Sequence, residues 1–366
     1  MVIDHIGQLR DDIFAWLSRG LPERGAQAAD GLPAAIGTWI STTRTENQDC
    51  AVVLHYVGGP STPPLTSFIL CDGIGGMRDG GVCARLAAAT FVASLLGRKF
   101  EKAAQRILRA AHAANDKIFT VYHEHGGTTL SSIIIQDKND RAAINVGDSR
   151  IYRVTSDRLT QLTTDDTLAN QIQHLRPDQP TLANPAFGKQ LTQFIGMGHD
   201  VQFRLVDLGA DSSDQTGFLL TSDGIHHLNQ DSLRDVTLCA PNSLEVVKRL
   251  TTLAKWGKST DDATVICVGK ALQPDDSLTG SSNQLAIWDS HSCLHVLLDA
   301  VSWGKERRAK APKRRPRHNR PDESRPEPRH SDSHPGDTTA PSHGKSDKRE
   351  PLQMEILSKP DEKAAD

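Results

Sequence analysis

Features typical of secreted and membrane-spanning proteins are scarce in this 366-residue sequence. Its six cysteines include no CxxC pair, and four of them lie in or beside apolar runs, as small buried residues do in a reducing compartment. The first 24 residues contain three aspartates and no apolar stretch of signal-peptide length. No run approaches the roughly 18 apolar residues of a membrane span. We therefore expect a cytoplasmic protein without a disulfide framework, a structural zinc site or a membrane partner.

Hydrophobic residues are also scarce, at 37%, and the shortage is concentrated near the end of the chain. Residues 305–366 contain nine of the 19 prolines and few apolar side chains. Such a segment cannot bury enough apolar surface to offset the entropy that is lost on folding. We predict that this basic, proline-rich tail is disordered.

The first part of the tail, residues 305–320, carries nine basic residues against one acidic residue. Such a run favours an acidic partner, whereas its lack of aromatic side chains argues against stacking on single-stranded nucleic acid. A solvated tail without a partner is the alternative. Residues 1–304 have 26 Lys+Arg against 33 Asp+Glu, a balance that suits neither DNA nor an anionic membrane surface.

Upstream of the tail, two kinds of hydrophobic pattern alternate. Short apolar or β-branched runs predict strands. These runs span residues 51–57, 67–71, 130–136, 141–146, 150–154, 217–221 and 264–268. Apolar residues at helical spacing predict two long helices within residues 82–96 and 104–122. We therefore predict an α/β (α+β) fold with largely antiparallel sheets, in which residues 147–149 join their two flanking strands as a hairpin.

Five aspartates stand near the ends of predicted strands, three of them beside glycine: Asp49, Asp72, Asp148, Asp223 and Asp261. Carboxylates gathered from several strand ends are the oxygen ligands that Mg²⁺ and Mn²⁺ prefer. An isolated Asp-Gly pair, however, usually marks a turn, so each aspartate considered alone also fits an ordinary turn. The residues around them decide between these two interpretations.

Eight short segments, five of which carry these aspartates, follow one another in a recognisable order. They are Arg44-x-x-Asn-Gln-Asp49, Asp72-Gly-Ile-Gly-Gly76, Gly127-Thr-Thr-Leu130, Asn145-Val-Gly-Asp-Ser-Arg150, Leu162-Thr-Thr-Asp165, Leu191-Thr192, Ser222-Asp-Gly224 and Ser259-Thr-Asp261. In this order they resemble the metal-dependent protein phosphatases, the type 2C serine/threonine family in its bacterial form. The resemblance runs from residue 39 to residue 268, and so many motifs in register make chance similarity an inadequate explanation.

The resemblance implies a four-layer sandwich, in which two antiparallel β-sheets are flanked by α-helices. It also implies two Mn²⁺ or Mg²⁺ ions, a third ion near Asp148, and a nucleophilic water that the two main ions share. The implied ligands of the two ions are Asp49, Asp72, the main-chain carbonyl of Gly73, Asp223 and Asp261. Arg44 would bind the phosphate. The expected activity is hydrolysis of phosphoserine and phosphothreonine in a phosphoprotein, opposing a cognate Ser/Thr kinase.

Several positions depart from the family pattern around the expected ligands. Met77 stands where bacterial relatives usually have histidine, Asp166 replaces another usual histidine, and Asp262 replaces a usual asparagine. No histidine can be assigned as the general acid for the leaving oxygen. The alternative function is therefore a catalytically weak pseudo-phosphatase that binds phosphoproteins as a regulatory module.

These observations divide the chain into four parts. Residues 1–34 are expected to form an N-terminal extension, residues 35–270 the phosphatase catalytic domain, residues 271–304 an extra segment and residues 305–366 the tail. Within the extra segment we expect a helix in the apolar run at residues 293–303, either packed on the core or available to a partner.

Overall fold

Thirteen strands and seven α-helices are formed by the residues that the computed structural model describes, which are 5–58, 64–97, 101–137, 139–175, 189–209, 216–270 and 283–298. The helices are α1 (His5–Leu17), α2 (Gly80–Leu96), α3 (Ala103–Tyr122), α4 (Leu168–Leu175), α5 (Asp223–His226), α6 (Gln230–Cys239) and α7 (Ser243–Trp256). The strands are β1 (Arg24–Ala29), β2 (Ala34–Trp39), β3 (Asp49–Tyr56), β4 (Leu65–Asp72), β5 (Leu130–Asp137), β6 (Asp140–Val146), β7 (Arg150–Val154), β8 (Leu159–Gln161), β9 (Arg204–Val206), β10 (Gly217–Thr221), β11 (Ala263–Val268), β12 (Gln284–Trp288) and β13 (Cys293–Leu297).

The strands form two antiparallel sheets. The first sheet has the order β1-β2-β11-β10-β7-β8, and the second has the order β13-β12-β3-β4-β5-β6-β9. Side chains alternate between the two faces of each strand. In β3, for example, Val52 and Leu54 face a core shared with helices, whereas Ala51 and Val53 face the space between the sheets.

Helices cover the outer face of each sheet. The buried faces of α1, α2 and α3 pack on the sheet that contains β3 and β4. On the other sheet, α7 packs through Val247, Leu250 and Ala254. Helix, sheet, sheet and helix make four layers, so the predicted fold class is confirmed. None of the helices within the described ranges is long and apolar enough to span a membrane.

The predicted hairpin around residues 147–149 is wrong. Strand β6 pairs with β5 and β9 in the second sheet, whereas β7 pairs with β10 and β8 in the first sheet. Gly147 has a φ of +102°, a backbone conformation that glycine adopts without strain. The connection therefore carries the chain from one sheet to the other instead of returning it along the same sheet.

The helix expected within residues 293–303 is also wrong in the part that the structure describes. Residues 284–288 and 293–297 form β12 and β13, and β12 pairs with β3 at the edge of the second sheet. Leu285 and Ile287 face the helix side while Ala286 and Trp288 face the inter-sheet side, which is the period of a strand.

The expected boundary between residues 34 and 35 would assign two paired strands, β1 and nearly all of β2, to different parts of the chain. Strand β1 lies in the predicted N-terminal extension, yet it pairs along its whole length with β2. Helix α1 buries Leu9, Ile13 and Leu17, whereas Ile6 is exposed. The predicted disordered tail, residues 305–366, lies outside the described residues.

Candidate active site

Asp49 and Asp72 lie opposite each other on neighbouring strands. Asp49 begins β3 and Asp72 ends β4, and the antiparallel register pairs the two residues directly. The buried apolar runs of both strands fix this register, because a slip of one residue would turn them to the wrong face. Asp49 Oδ2 accepts a hydrogen bond from Ser222 Oγ at 2.8 Å, whereas the buried Oδ1 has no hydrogen-bond partner among the described residues.

Gly73 directly follows Asp72 and brings the main chain close to two other segments. Its N–H donates to Gln48 O at 3.0 Å, and a Cβ atom at this position would collide with Gly80 O. Only glycine therefore fits here. The main chain that carries the expected carbonyl ligand is thus held beside the Asp49–Asp72 pair.

Asp223 enters the site from the first sheet. It is the first residue of α5, just beyond the end of β10. Its Oδ1 atom is buried with no hydrogen-bond partner in the described part of the chain. A Cβ atom on Gly224 would collide with Asp262 O, so glycine at this position lets α5 approach the segment that carries Asp261.

Arg44 contacts one of the expected metal ligands. Its Nη2 atom lies 2.7 Å from Asp261 Oδ1, and its Nη1 atom donates to the side chain of Gln48. The guanidinium also lies over Gly75, where a Cβ atom would collide with it. The expected phosphate-binding residue and the acidic cluster therefore belong to one site.

The electrostatics show that the five aspartates share one neighbourhood. Burial raises the pKa of Asp72 well above its ordinary value, and the charges of the other four, Asp49 first, raise it further. Burial, followed by the charges of Asp261 and Asp148, raises the pKa of Asp223 to about 7. Burial also raises the pKa of Asp148 to about 6. Folding therefore brings together carboxylates that the sequence separates by more than two hundred residues, Asp49 to Asp261, at an electrostatic cost.

The acidic cluster fits divalent cations in donor type and in charge. Carboxylate and carbonyl oxygens are the ligands of Mg²⁺ and Mn²⁺, and Asp49 Oδ1 and Asp223 Oδ1 are buried oxygens free of any described hydrogen bond. Among the described residues, no three acidic, histidine or cysteine side chains lie close enough together to hold a metal ion as they stand. Mutual repulsion of carboxylates favours such separation when no cation lies between them.

Asp262 is a site residue whose role the sequence did not predict. Its Oδ1 accepts the Ser41 N–H and its Oδ2 accepts the Gln48 N–H, both at 2.8 Å. The side chain therefore holds the main chain on both sides of Arg44. These partners lie more than 200 residues away in the chain, a distance that no local sequence pattern spans.

Two neighbouring histidines lie near the acids. Burial lowers the pKa of His226, and its Nδ1 atom lies 3.2 Å from Thr221 Oγ1. His227 is more exposed, and its Nδ1 atom lies 3.6 Å from Asp223 Oδ2. These contacts assign neither ring to a proton-donating role, so the general acid stays unassigned.

The chain has the fold of the PPM serine/threonine phosphatases. A solved serine/threonine phosphatase from S. agalactiae superimposes with a TM-score of 0.55 at 24% identity, covering 65% of this chain and 98% of that one. The PPM Ser-Thr phosphatase MsPP from Mycobacterium smegmatis superimposes with a TM-score of 0.53 at 21% identity, covering 65% of this chain and 97% of that one.

Sequence relatives agree with the fold. Protein phosphatase PhpP of Streptococcus pneumoniae is 28% identical over 240 residues, which cover 63% of this chain and 94% of the relative. Serine/threonine protein phosphatase PstP of Mycobacterium tuberculosis is 29% identical over 202 residues, which cover 54% of this chain and 39% of the relative. No family model matches the chain. These relatives confirm the resemblance to the bacterial type 2C phosphatases that the motifs predict.

Proposed function

We propose that this protein is a metal-dependent protein serine/threonine phosphatase. The observation that carries the proposal is the electrostatic proximity of five aspartates, whose charges raise the pKa of Asp72 and Asp223, together with the Arg44–Asp261 contact. The named protein phosphatases among its relatives support the same reaction class. The substrate class is a phosphoprotein that carries phosphoserine or phosphothreonine.

The proposed ligands of two Mn²⁺ or Mg²⁺ ions are Asp49, Asp72, the Gly73 carbonyl, Asp223 and Asp261, with Asp148 at a third ion. When bound, such cations supply positive charge at the phosphate and lower the pKa of water. The protein would contribute the carboxylates, and their mutual repulsion, seen in the raised pKa of Asp72, supports this proposal. The buried oxygens of Asp49 and Asp223 that lack a described partner support this ligand set.

Arg44 is proposed to bind the phosphate of the substrate. Its guanidinium pairs with Asp261. If Asp261 held a cation, the forked N–H groups of Arg44 would be available for two phosphate oxygens. Asp262 holds the Arg44 segment in place through the Ser41 and Gln48 N–H groups.

The direct test is hydrolysis of p-nitrophenyl phosphate and of a phosphothreonine peptide with and without Mn²⁺. We expect turnover that requires the cation and is lost in Asp72→Asn and in Asp223→Asn. The exposed Asp157, 68% exposed in its ion pair with Arg158, offers Asp157→Asn as the matched control. Turnover that is equal in all four proteins would refute the proposal.

The alternative is a pseudo-phosphatase that binds phosphoproteins without turnover. The observation that favours it is the occupied state of Arg44, which already has Asp261 and Gln48 as partners. Tight binding of the phosphothreonine peptide at saturating Mn²⁺, without release of phosphate, would establish this alternative.

We further propose that a Ser/Thr kinase supplies the substrate, because a phosphatase acting on phosphoserine and phosphothreonine requires such a phosphorylating partner. The buried free thiols of Cys50, Cys71 and Cys83 support a reducing compartment such as the cytoplasm. Incubation with an autophosphorylated Ser/Thr kinase should remove its phosphate in the presence of Mn²⁺, and retention of that phosphate would contradict the kinase proposal.

A further inference from the structure

Asp166 uses all of its hydrogen-bonding groups although it is not one of the proposed ligands. Its side chain is buried, at 7% exposure. Oδ2 accepts the Gly147 N–H at 3.1 Å, and Oδ1 accepts from Arg204 Nη2 at 2.5 Å. The Asp166 N–H in turn donates to Gly147 O at 3.0 Å. Asp166 and Gly147 therefore bind each other reciprocally, directly before the Asp148 position.

Asp166 also lies at the base of the long connection between residues 163 and 195, which we call the excursion. Residues 163–175 are its outgoing arm and residues 189–195 are its returning arm. The Thr192 N–H donates to Asp166 O at 2.8 Å, and the Leu168 N–H donates to Gln190 O at 2.9 Å. Thr167 forms an isolated bridge with Leu191. The outgoing and returning arms are thus held together where the outgoing arm contacts the Gly147–Asp148 turn.

The returning arm reaches the other side of the site. Ile195 bridges Thr128, and Thr128 bridges Gly73, whose carbonyl is a proposed ligand. Thr128 Oγ1 also donates to Asp72 O at 2.8 Å. The outgoing arm therefore contacts Gly147 directly, next to Asp148, whereas the returning arm is connected to Asp72 and Gly73 through Thr128.

We propose that Asp166, clamped by Arg204, is a positioning residue that fixes the Gly147–Asp148 turn against the base of the excursion. The mechanical part of the proposal depends only on described contacts, whereas its consequence for cation affinity rests on the proposed function. The buried Gly147 N–H donates to a charged acceptor, and such bonds are the stronger kind. Arg204 is 64% exposed, so its contribution is to orient the carboxylate and not to supply the main attachment.

The first measurement is amide hydrogen exchange in the metal-free protein. Asp166→Ala removes the acceptor of the Gly147 N–H, so exchange at Gly147 should accelerate about tenfold or more. Asp166→Asn keeps one acceptor oxygen and Arg204→Ala keeps the carboxylate, so both should show a smaller change. Asp157→Asn, on the turn between β7 and β8, should leave Gly147 unchanged. Unchanged exchange at Gly147 in Asp166→Ala would overturn the proposal.

The second measurement is a Mn²⁺ titration by calorimetry, in which Asp148→Asn identifies the step that depends on Asp148. Asp166→Ala should weaken that step about tenfold and leave the tighter steps unchanged. Equal weakening of every step, or a shift of the tighter steps only, would contradict a positioning role at Asp148. The exchange measurement requires neither cation nor activity. It therefore tests whether Asp166 holds the Gly147 turn even if the protein proves not to be a phosphatase.

Discussion

Two groups of aspartates in this molecule differ in how their charge is satisfied. Burial raises the pKa values of Asp49, Asp72 and Asp223, and the charges of neighbouring aspartates raise them further. Asp165 and Asp166 are also largely buried, yet each has an arginine partner, Arg150 and Arg204 respectively.

This difference in charge compensation distinguishes aspartates that stabilise the fold from aspartates that are proposed to bind a ligand. A carboxylate with an arginine or main-chain N–H partner contributes to the folded state. Carboxylates that repel one another in a buried cluster destabilise it until a cation binds. The protein therefore gives up stability at the site where its chemistry is proposed to occur.

The largest effect is expected when one of the proposed metal ligands is replaced. Asp72→Asn should reduce Mn²⁺-dependent hydrolysis at least about a hundredfold, because a ligand of the proposed cations is lost. The same change should raise the unfolding midpoint of the metal-free protein, since it removes one of the repelling charges. Enzyme assays and thermal unfolding measure the two effects. A variant that loses activity but also unfolds at a lower temperature without metal would contradict the division between the two groups.

Asp262, whose carboxylate is likewise satisfied, here by two main-chain N–H groups, gives the next effect. Asp262→Ala leaves the N–H groups of Ser41 and Gln48 without their acceptor, so it should cost about 3 kcal/mol of unfolding free energy. Asp262→Asn keeps one acceptor oxygen and should cost about half as much. Urea unfolding of the metal-free proteins measures both values. Equal stability of wild type and Asp262→Ala would show that this side chain does not hold the Arg44 segment.

The pH dependence of stability sharpens the same distinction. Folding raises the pKa of Asp223 from an ordinary value of 3.8 to about 7. The group therefore binds its proton more tightly in the folded state, and its stabilising effect is complete below about pH 4 and is lost as the pH rises through about 7.

The difference in unfolding free energy between wild type and Asp223→Asn isolates this group. Relative to the variant, metal-free wild type should lose about 4 kcal/mol between pH 4 and pH 8. Saturating Mn²⁺ should remove the loss, because cations bind the deprotonated carboxylate. A difference that stays constant over this pH range would contradict the raised pKa.

The smallest effect is expected at Asp165, which forms a bidentate pair with Arg150. Asp165→Asn should cost about 1 kcal/mol, since Arg150 keeps a hydrogen-bond partner and is partly exposed to solvent. Urea unfolding measures the change, with Asp157→Asn as the exposed control. A loss as large as that of Asp262→Ala would place Asp165 among the residues on which the site depends.

The sequence predicted the local elements well where a pattern of side chains is sufficient. The apolar run of β3 predicts a strand and places Asp49 at its end, and the same holds for β4 and Asp72. The motif order then predicts that the five aspartates form one site. In the structure the charges of the other four raise the pKa of Asp72, and their role as ligands stays a prediction.

What the sequence did not predict depends on partners distant in the chain. A glycine turn between two β-rich runs looks the same whether the second strand continues one sheet or starts another, so the connection at Gly147 was misassigned. The short run at 293–297 fits both helical and strand periods, and pairing at the sheet edge decides for a strand. The Asp166–Arg204 pair joins residues 38 positions apart, which no local pattern reveals.

The most direct test of the central claim is anomalous scattering from crystals soaked with Mn²⁺. The proposed function predicts two strong peaks in contact with oxygens of Asp49, Asp72, Asp223 and Asp261, and a weaker peak beside Asp148. A crystal with no peak among these side chains, or with its Mn²⁺ bound elsewhere on the protein, would contradict the proposed metal centre.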